Sequence, residues 1–240
     1  MIRVLGVIPA RLASTRLPRK VLREIAGRPM IAHVWERARR SKHLDDLVVA
    51  TDAEEVLAAC RTLDIPCEMT SPEHRSGTDR VWEVAQRRAA DVYVNIQGDE
   101  PLITPGHIER LVRPFNERGD AQVTTLAIRA TAEEISNPNT VKVVFDAAGR
   151  ALYFSRHPIP YDRNGIAPVR YKHIGMYAFT REALEAFHRL APSPLSTAED
   201  LEQLRLLEHG LGIIVTETDE PTIGVDTEED LRAVTARLGA

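Results

Sequence analysis

The sequence of 240 residues contains only two cysteines, Cys60 and Cys67, and their spacing matches no zinc-binding pattern. It therefore provides no disulfide framework, and we predict neither a metal role nor a redox role for these thiols. No apolar run approaches the roughly 20 residues that a membrane-spanning helix needs. No signal-peptide pattern opens the chain. We therefore expect a cytoplasmic enzyme.

Several sequence motifs are also missing. The chain lacks the G-x-x-x-x-G-K-[ST] P-loop and has no G-x-G-x-x-G after its first predicted strand. These two absences argue against a P-loop NTPase and a dinucleotide-dependent oxidoreductase. The motifs H-E-x-x-H and G-x-S-x-G are missing as well. The net charge of −4 argues against a general nucleic-acid binder, which usually has an overall basic surface.

The composition, 43% apolar and 28% charged residues, is that of an ordinary globular protein. Apolar periodicity predicts strands at 3–8, 47–50, 92–96, 123–129, 140–145, 151–155, 172–179 and 213–217. It predicts helices at 29–41, 53–63, 79–88, 104–117, 181–190, 197–209 and 227–238, with Thr78 as a candidate cap. The alternation predicts an α/β fold with three layers (αβα) and a mostly parallel central sheet. We expect a single domain, 1–240, with a nucleotide-binding half at about 1–120 and an acceptor half at about 121–240.

A basic loop follows the first predicted strand. Its cations are Arg11, Arg16, Arg19 and Lys20. No acidic residue precedes Glu24, although the whole chain is net acidic. Loops at strand ends are where α/β folds bind ligands, and side-chain cations hold phosphate groups well. The pattern favours a phosphate-binding loop for a nucleotide over a solvated basic turn.

Two aspartates stand at positions suited to Mg²⁺. Asp99 follows a predicted buried strand, and Asp226 directly precedes the last predicted helix. Mg²⁺ usually takes one or two protein carboxylates and completes its shell with phosphate and water. We therefore predict Asp99 as a metal ligand and Asp226 as the second. The alternatives are a turn-forming role for Asp99 and a helix-cap role for Asp226.

The segment Ser76–Thr78 opens a predicted helix. Its glycine permits a close backbone approach to a ligand, and free N–H groups at a helix start bind anions. An ordinary helix cap is an equally good interpretation of the same residues.

Hydrogen-bonding side chains are frequent in the second half. His173, Gly175 and Tyr177 alternate on one face of a predicted strand, and Arg156 follows another strand. Glu202 and Gln203 lie in the predicted helix 197–209. The set suits the hydroxyl groups and carboxylate of an acidic sugar, although a strand histidine considered alone is more often structural.

Taken together, these segments resemble the 3-deoxy-manno-octulosonate cytidylyltransferases, or CMP-Kdo synthetases. The matching segments are collinear and cover nearly the whole chain: 8–11, 13–18, 75–80, 95–101, 137–144, 151–156, 173–177, 201–205 and 224–227. The combination is specific, whereas the first loop alone also fits other sugar-nucleotide transferases. The chain departs from the family at Arg19, where a glycine commonly precedes the lysine.

The resemblance implies a glycosyltransferase-A-like, Rossmann-like nucleotidyltransferase fold and a homodimer formed through the second half. It implies that CTP is bound by Pro9, Ala10, Arg11, Lys20, Ser76, Gly77, Thr78 and Asp99, with Lys20, Arg11 and Asp99 as the catalytic residues. It implies that Mg²⁺ is held by Asp99 and Asp226. It implies that the sugar acid is bound by Gln97, Arg156, His173, Tyr177, Glu202 and Gln203.

The implied reaction is the transfer of CMP from CTP to 3-deoxy-D-manno-octulosonate (Kdo) with release of pyrophosphate, for lipopolysaccharide biosynthesis. Its catalysis should consist mainly of positioning and charge neutralisation. One alternative is a cytidylyltransferase for another acidic sugar, such as 8-amino-Kdo or a sialic acid. The other is a non-catalytic nucleotide-sensing module, which the presence of both Asp99 and Asp226 disfavours.

Overall fold

The computed structural model describes residues 2–12 and 17–239. The strands are Val4–Pro9 (β1), Glu24–Ile25 (β2), Arg28–Pro29 (β3), Asp46–Thr51 (β4), Cys67–Met69 (β5), Val92–Asn95 (β6), Val123–Arg129 (β7), Lys142–Phe145 (β8), Ala151–Ser155 (β9), Tyr171–Thr180 (β10) and Ile213–Glu217 (β11). The helices are Met30–Ala38 (α1), Glu54–Thr62 (α2), Gly77–Arg87 (α3), Pro105–Glu117 (α4), Ala132–Ser136 (α5), Arg181–Arg189 (α6), Pro194–Glu199 (α7), Leu204–Glu208 (α8) and Glu228–Leu238 (α9), and a 3-10 turn covers Lys20–Leu22. Arg16 of the predicted phosphate loop lies outside the described residues.

The chain forms two compact units. The first comprises Met1–Glu109 and Thr222–Ala240, and the second comprises Arg110–Pro221. The final helix therefore belongs with the N-terminal residues, and Asp226 lies in the same unit as Asp99. The single-domain organisation with halves near 1–120 and 121–240 stays a prediction.

The sheet of the first unit is parallel. β1 lies between β4 and β6, with Val7 opposite Val48 on one side and Asn95 on the other, and β5 extends the sheet beyond β4. β1, β4 and β6 are almost fully buried, which explains their continuous apolar runs. Because the strands are parallel, their carboxyl ends lie at one edge, where the loops after β1, β5 and β6 begin. The predicted α/β class with a mostly parallel sheet is confirmed.

The second unit combines parallel and antiparallel pairs. β7 pairs in parallel with β11 and antiparallel with β10, while β8 pairs antiparallel with both β9 and β10. The register of β10 against β7 shifts between Ile174 and Tyr177. Such a bulge redirects side chains locally. Among the described residues, no helix has the length and apolar character needed to cross a bilayer.

Two of the predictions about helices are wrong. α3 begins two residues earlier than expected, at Gly77, and its cap is Ser76 rather than Thr78. The Ser76 hydroxyl accepts a hydrogen bond from the Asp79 backbone at 3.1 Å, in a reciprocal capping box. The predicted helix 197–209 is two helices, because Asp200 adopts a left-handed conformation with φ 51° and ends α7. Glu202 and Gln203 therefore lie in the connection before α8.

Candidate active site

The predicted nucleotide-binding residues lie at the carboxyl edge of the first unit's sheet. Pro9 ends β1, and the backbone of Ala10 bonds to that of Ala50 at 2.8 Å. The carbonyl of Ala10 also accepts a bond from the Thr51 hydroxyl at 2.6 Å. These contacts fix the point at which the loop leaves the sheet. Arg11 is exposed immediately beyond it.

Two glycines bring neighbouring loops against Pro9. A Cβ atom on Gly98 would lie 2.6 Å from the Pro9 carbonyl oxygen, so the turn after β6 requires glycine there. A Cβ atom on Gly77 would lie 3.4 Å from the Pro9 ring, an ordinary contact. The start of α3 and the turn after β6 therefore both approach the end of β1.

Lys20, Asp99 and Asp226 meet in one cluster. The Lys20 ammonium donates to Asp99 Oδ2 at 2.5 Å and to Asp226 Oδ1 at 3.0 Å. The Lys20 side chain is 13% exposed, compared with 30% for Asp99 and 45% for Asp226. Burial alone would lower the pKa of Lys20, but the two carboxylates outweigh it and raise the pKa above its ordinary value. Lys20 is thus a charged donor at this edge of the sheet.

The donor set of this cluster fits Mg²⁺. Two carboxylates converge here on one cationic group, and carboxylate oxygens are the ligands that Mg²⁺ prefers. The hydroxyl of Thr227 caps α9 by accepting from the Asp230 backbone at 3.2 Å. The Asp226 carboxylate is directed to Lys20 and is not needed for the cap. The role of Asp226 as a metal ligand stays a prediction.

Arg19 adopts a left-handed conformation directly before Lys20. Its φ of 57° is one that glycine adopts without steric cost. The conformation therefore agrees with the glycine that the family commonly has at this position. The guanidinium group of Arg19 pairs with Glu55, and both side chains are more than half exposed, so the pair contributes little stability.

A buried polar chain connects α3 to β6. The amide of Asn95 donates to the hydroxyl of Thr78 at 3.2 Å, and the Gln97 amide lies 3.4 Å from the Asn95 oxygen. Thr78 and Asn95 are both 1% exposed. Thr78 therefore has a buried hydrogen-bonding role instead of the predicted capping role. Asn95 was not singled out in the sequence, because a polar residue at a strand end is common.

His173 and Tyr177 lie together in the second unit, on one face as predicted. Their ring centroids are 5.4 Å apart. The hydroxyl of Thr125, on β7, donates to the Met176 carbonyl at 2.8 Å and lies 2.9 Å from His173 Nε2. With the hydroxyl proton on the Met176 carbonyl, Nε2 donates to the hydroxyl oxygen and Nδ1 is left as an acceptor. Thr125 is thus the side chain that holds the His173 ring, and no sequence signal distinguished it from other strand threonines.

Two buried polar atoms of the predicted sugar-binding residues lack a hydrogen-bond partner among the described residues. The Tyr177 hydroxyl and the Gln203 amide nitrogen make no hydrogen bond within the described part of the chain. Burial, and then the Glu202 carboxylate, raise the pKa of Tyr177 well above its ordinary value. Unpaired buried polar groups are costly, which is typical of a site that binds a polar ligand. The assignment of these residues to a sugar acid stays a prediction.

Arg156 is held mainly by backbone carbonyl groups. Its guanidinium donates to the carbonyls of Glu199 at 2.7 Å, Asp200 at 3.1 Å and Pro138 at 3.3 Å. The Glu199 carboxylate, which the sequence did not indicate, accepts bonds from the Ser155 hydroxyl at 2.6 Å and the Arg156 backbone at 2.8 Å. Three of the five guanidinium donors are therefore engaged in positioning this segment. The Asp200 carboxylate lies 3.8 Å from the same guanidinium, so a carboxylate ligand would share the remaining donors with it.

The burial of His173 should make the stability of the fold sensitive to acid. Burial lowers its pKa from 6.5 to about 3. At a pH between these two values, the unfolded chain binds a proton at His173 and the folded chain does not. The free energy of unfolding should fall as pH is lowered through this window, by up to about 1.4 kcal/mol per unit. Urea unfolding at pH 7, 6 and 5 should show a shallower dependence for His173→Gln than for the parent chain. The exposed-site control His188→Gln should follow the parent, and identical slopes for all three proteins would contradict the prediction.

Comparisons with known proteins agree with the class that this fold indicates, the nucleotidyltransferases. A family described as Cytidylyltransferase matches residues 5–217. The 3-deoxy-manno-octulosonate cytidylyltransferase of Acidobacterium capsulatum is 58% identical over 96% of this chain and 94% of its own length. Its counterpart in Geobacter metallireducens is 45% identical over 98% of each chain.

A solved structure extends the similarity to three dimensions. It is that of CMP:2-keto-3-deoxy-manno-octonic acid synthetase complexed with CTP, with a TM-score of 0.95 and 42% identity over 99% of this chain and 98% of that one. The predicted nucleotidyltransferase fold is thereby confirmed. The chain belongs to the cytidylyltransferase family and, within it, to the 3-deoxy-manno-octulosonate cytidylyltransferases.

Proposed function

We propose that this chain transfers CMP from CTP to Kdo with Mg²⁺ bound, releasing pyrophosphate, as a step of lipopolysaccharide biosynthesis. The observation that carries the proposal is the cluster of Lys20, Asp99 and Asp226, in a chain 58% identical to a relative named for this activity. We place the reaction in the cytoplasm, where CTP is available.

The proposed step is an in-line substitution at the α-phosphorus of CTP. The anomeric hydroxyl oxygen of Kdo forms a bond to this phosphorus while the bond to the bridging oxygen of the β-phosphate breaks. Pyrophosphate leaves with the electron pair, and the hydroxyl proton passes to solvent. Lys20 and Arg11 neutralise phosphate charge, which is where phosphoryl transfer gains most from a protein. Pro9, Ala10, Ser76, Gly77 and Thr78 enclose the cytidine.

Asp99 and Asp226 would hold the metal ion. When bound, Mg²⁺ would supply charge neutralisation at the phosphate oxygens and would lower the pKa of the attacking hydroxyl. The two carboxylates come from the turn after β6 and the segment before α9.

The second unit would select the sugar acid. The Tyr177 hydroxyl and the Gln203 amide need partners, and sugar hydroxyls supply them. His173 Nδ1 and Glu202 would accept hydrogen bonds from further hydroxyls, while Arg156 would pair with the carboxylate and Gln97 would lie near the reacting end. His173 is neutral at physiological pH, because burial lowers its pKa to about 3, and it acts here as a hydrogen-bonding group.

Gln203→Ala should raise the KM for Kdo by about tenfold, because a ligand hydroxyl then loses a buried partner. The affinity for CTP should stay within about twofold of the parent value, since only sugar contacts are removed. Kdo saturation curves beside calorimetry of CTP binding separate the two effects, with Gln86→Ala, an exposed glutamine on α3, as the matched control. A Gln203 variant that loses CTP affinity but saturates normally with Kdo would show that the substrates are assigned to the wrong units.

The function is tested by pyrophosphate release with CTP and a panel of 2-keto sugar acids. We expect release with Kdo at a far higher kcat/KM than with 8-amino-Kdo or a sialic acid. A preference for either of the latter would make this a cytidylyltransferase for another acidic sugar. CTP binding without release for any acceptor would identify a nucleotide-sensing module.

A homodimer is proposed from an exposed apolar surface of the second unit. Tyr161, Ile166 and Val169 are 84%, 75% and 53% exposed. Large exposed apolar side chains commonly mark a protein interface, and these three lie in the single connection between β9 and β10. Ile166→Asp should therefore shift the protein from dimer to monomer in light scattering coupled to size exclusion, while Asn164→Asp in the same loop should remain dimeric. A parent chain that is monomeric at micromolar concentration would refute the dimer.

A further inference from the structure

The segment Thr222–Asp226 brings Asp226 to Asp99 although it belongs to no helix or strand. Specific contacts must therefore hold it. The backbone N–H of Val225 donates to the Asp99 carbonyl at 2.9 Å. The Val225 side chain is fully buried in a core cluster that includes Met30 and Val234. This backbone bond and this buried side chain fix the middle of the segment.

The side chain of Glu100 holds the beginning of the same segment. Its Oε2 atom accepts a hydrogen bond from the hydroxyl of Thr222. Thr222 is a buried residue, 6% exposed. A Cβ atom on Gly224 would lie 3.2 Å from Glu100 Oε1. The Glu100 carboxylate therefore bonds the Thr222 side chain through Oε2, and the segment passes Oε1 so closely at Gly224 that a Cβ atom there would crowd it.

The position of Glu100 is itself fixed by its turn. Its backbone N–H lies 3.2 Å from the Gln97 carbonyl, and its own carbonyl accepts from Ile103 at 3.1 Å. Asp99 is directed to Lys20, while the next side chain, Glu100, is directed to Thr222 and Gly224. Neighbouring carboxylates of one turn thus have different partners.

We propose that Glu100 is a positioning residue for the metal site. Its carboxylate holds the segment Thr222–Asp226 so that Asp226 and Asp99 face one cation. The inference rests on the proposed function for the identity of that cation. Glu100 acts through hydrogen-bond acceptance and packing and does not bind the ion.

The test compares variants that break the contact with variants that keep it. Glu100→Ala and Thr222→Val remove the hydrogen bond, whereas Glu100→Gln keeps an acceptor and Thr222→Ser keeps the hydroxyl. Binding of the Mn²⁺–CTP complex is measured by water-proton relaxation enhancement without a sugar acid, so that no turnover occurs. Thermal melting of each variant reports the folded fraction.

We expect Glu100→Ala and Thr222→Val to weaken binding of Mn²⁺–CTP by about tenfold each, and the double variant to be no weaker than the worse single variant. Glu100→Gln and Thr222→Ser should stay within about twofold of the parent. A Glu100→Gln variant as weak as Glu100→Ala would show that the carboxylate charge matters and would overturn the proposal. Parent-like binding in Thr222→Val would overturn the proposal too. If Glu100→Ala fails to fold, the comparison of Thr222→Val with Thr222→Ser decides the question.

Two further measurements separate this inference from the proposed function. Asp226→Asn should weaken Mn²⁺–CTP binding at least as much as Thr222→Val, and parent-like binding in Asp226→Asn would overturn the shared ion site. A parent chain that binds Mn²⁺–CTP with the expected variant pattern but forms no product from Kdo would refute the function and leave the role of Glu100 supported.

Discussion

Replacing Lys20 by alanine should lower kcat by about two to three orders of magnitude, the usual cost of removing one donor from developing charge. The Lys20 side chain is 13% exposed, and its ammonium group lies at the edge of the sheet where the phosphates are expected. Lys20 belongs to a short 3-10 turn and not to a strand of the sheet, so the fold should persist. Pre-steady-state product formation with saturating CTP and Kdo measures the effect directly.

Lys20→Arg is the matched variant for this measurement. It keeps the positive charge with a different donor geometry, so it should recover part of the lost rate. Arg23→Ala removes the next cation in the chain, which is half-buried and paired with Glu228, and should leave kcat unchanged. A Lys20→Ala enzyme with near-parent turnover would remove the basis for the phosphate-binding role of this loop.

Asp99→Asn and Asp226→Asn should each raise the Mg²⁺ concentration needed for half-maximal activity by more than about tenfold. An amide keeps the size of the side chain but removes the charge that a hard cation requires. Activity should therefore be titrated with Mg²⁺ for each variant at saturating CTP. Thermal stability should change little in comparison, because both carboxylates are substantially exposed.

Thr227→Ala is the control that separates a metal role from a helix-cap role at this position. Its hydroxyl caps α9, so its loss should lower the free energy of unfolding by about 1 kcal/mol. Its Mg²⁺ titration should follow that of the parent. If Asp226→Asn also keeps the parent Mg²⁺ curve, the second ligand lies elsewhere.

The regular elements of this fold follow from local sequence patterns. The strands Val123–Arg129 and Ala151–Ser155 match their predicted limits, because apolar runs with flanking polar residues mark them clearly. The split between α7 and α8 depends on the left-handed Asp200, which apolar periodicity does not reveal. The cap at Ser76 was accessible from the sequence, since Asp79 follows three residues later as a capping box requires.

The site was harder to predict from the sequence than the fold, because its residues are distant from one another along the chain. The strand-end rule indicates Asp99, but nothing local indicates that Asp226 contacts Lys20 across more than 200 residues. The family resemblance implied Asp99 and Asp226 as ligands of Mg²⁺, but the contact between Asp226 and Lys20 was not predicted. Thr125 and Glu100 were missed, because their partners, His173 and Thr222, become neighbours only after folding.

The central claim is most directly tested by following CTP, Kdo and the chain with ³¹P nuclear magnetic resonance, with and without Mg²⁺. We predict that one phosphodiester resonance and free pyrophosphate appear in equal amounts, only when Kdo and Mg²⁺ are both present. Lys20→Ala should suppress both signals together. Release of inorganic phosphate, or loss of CTP that does not depend on Kdo, would contradict the account.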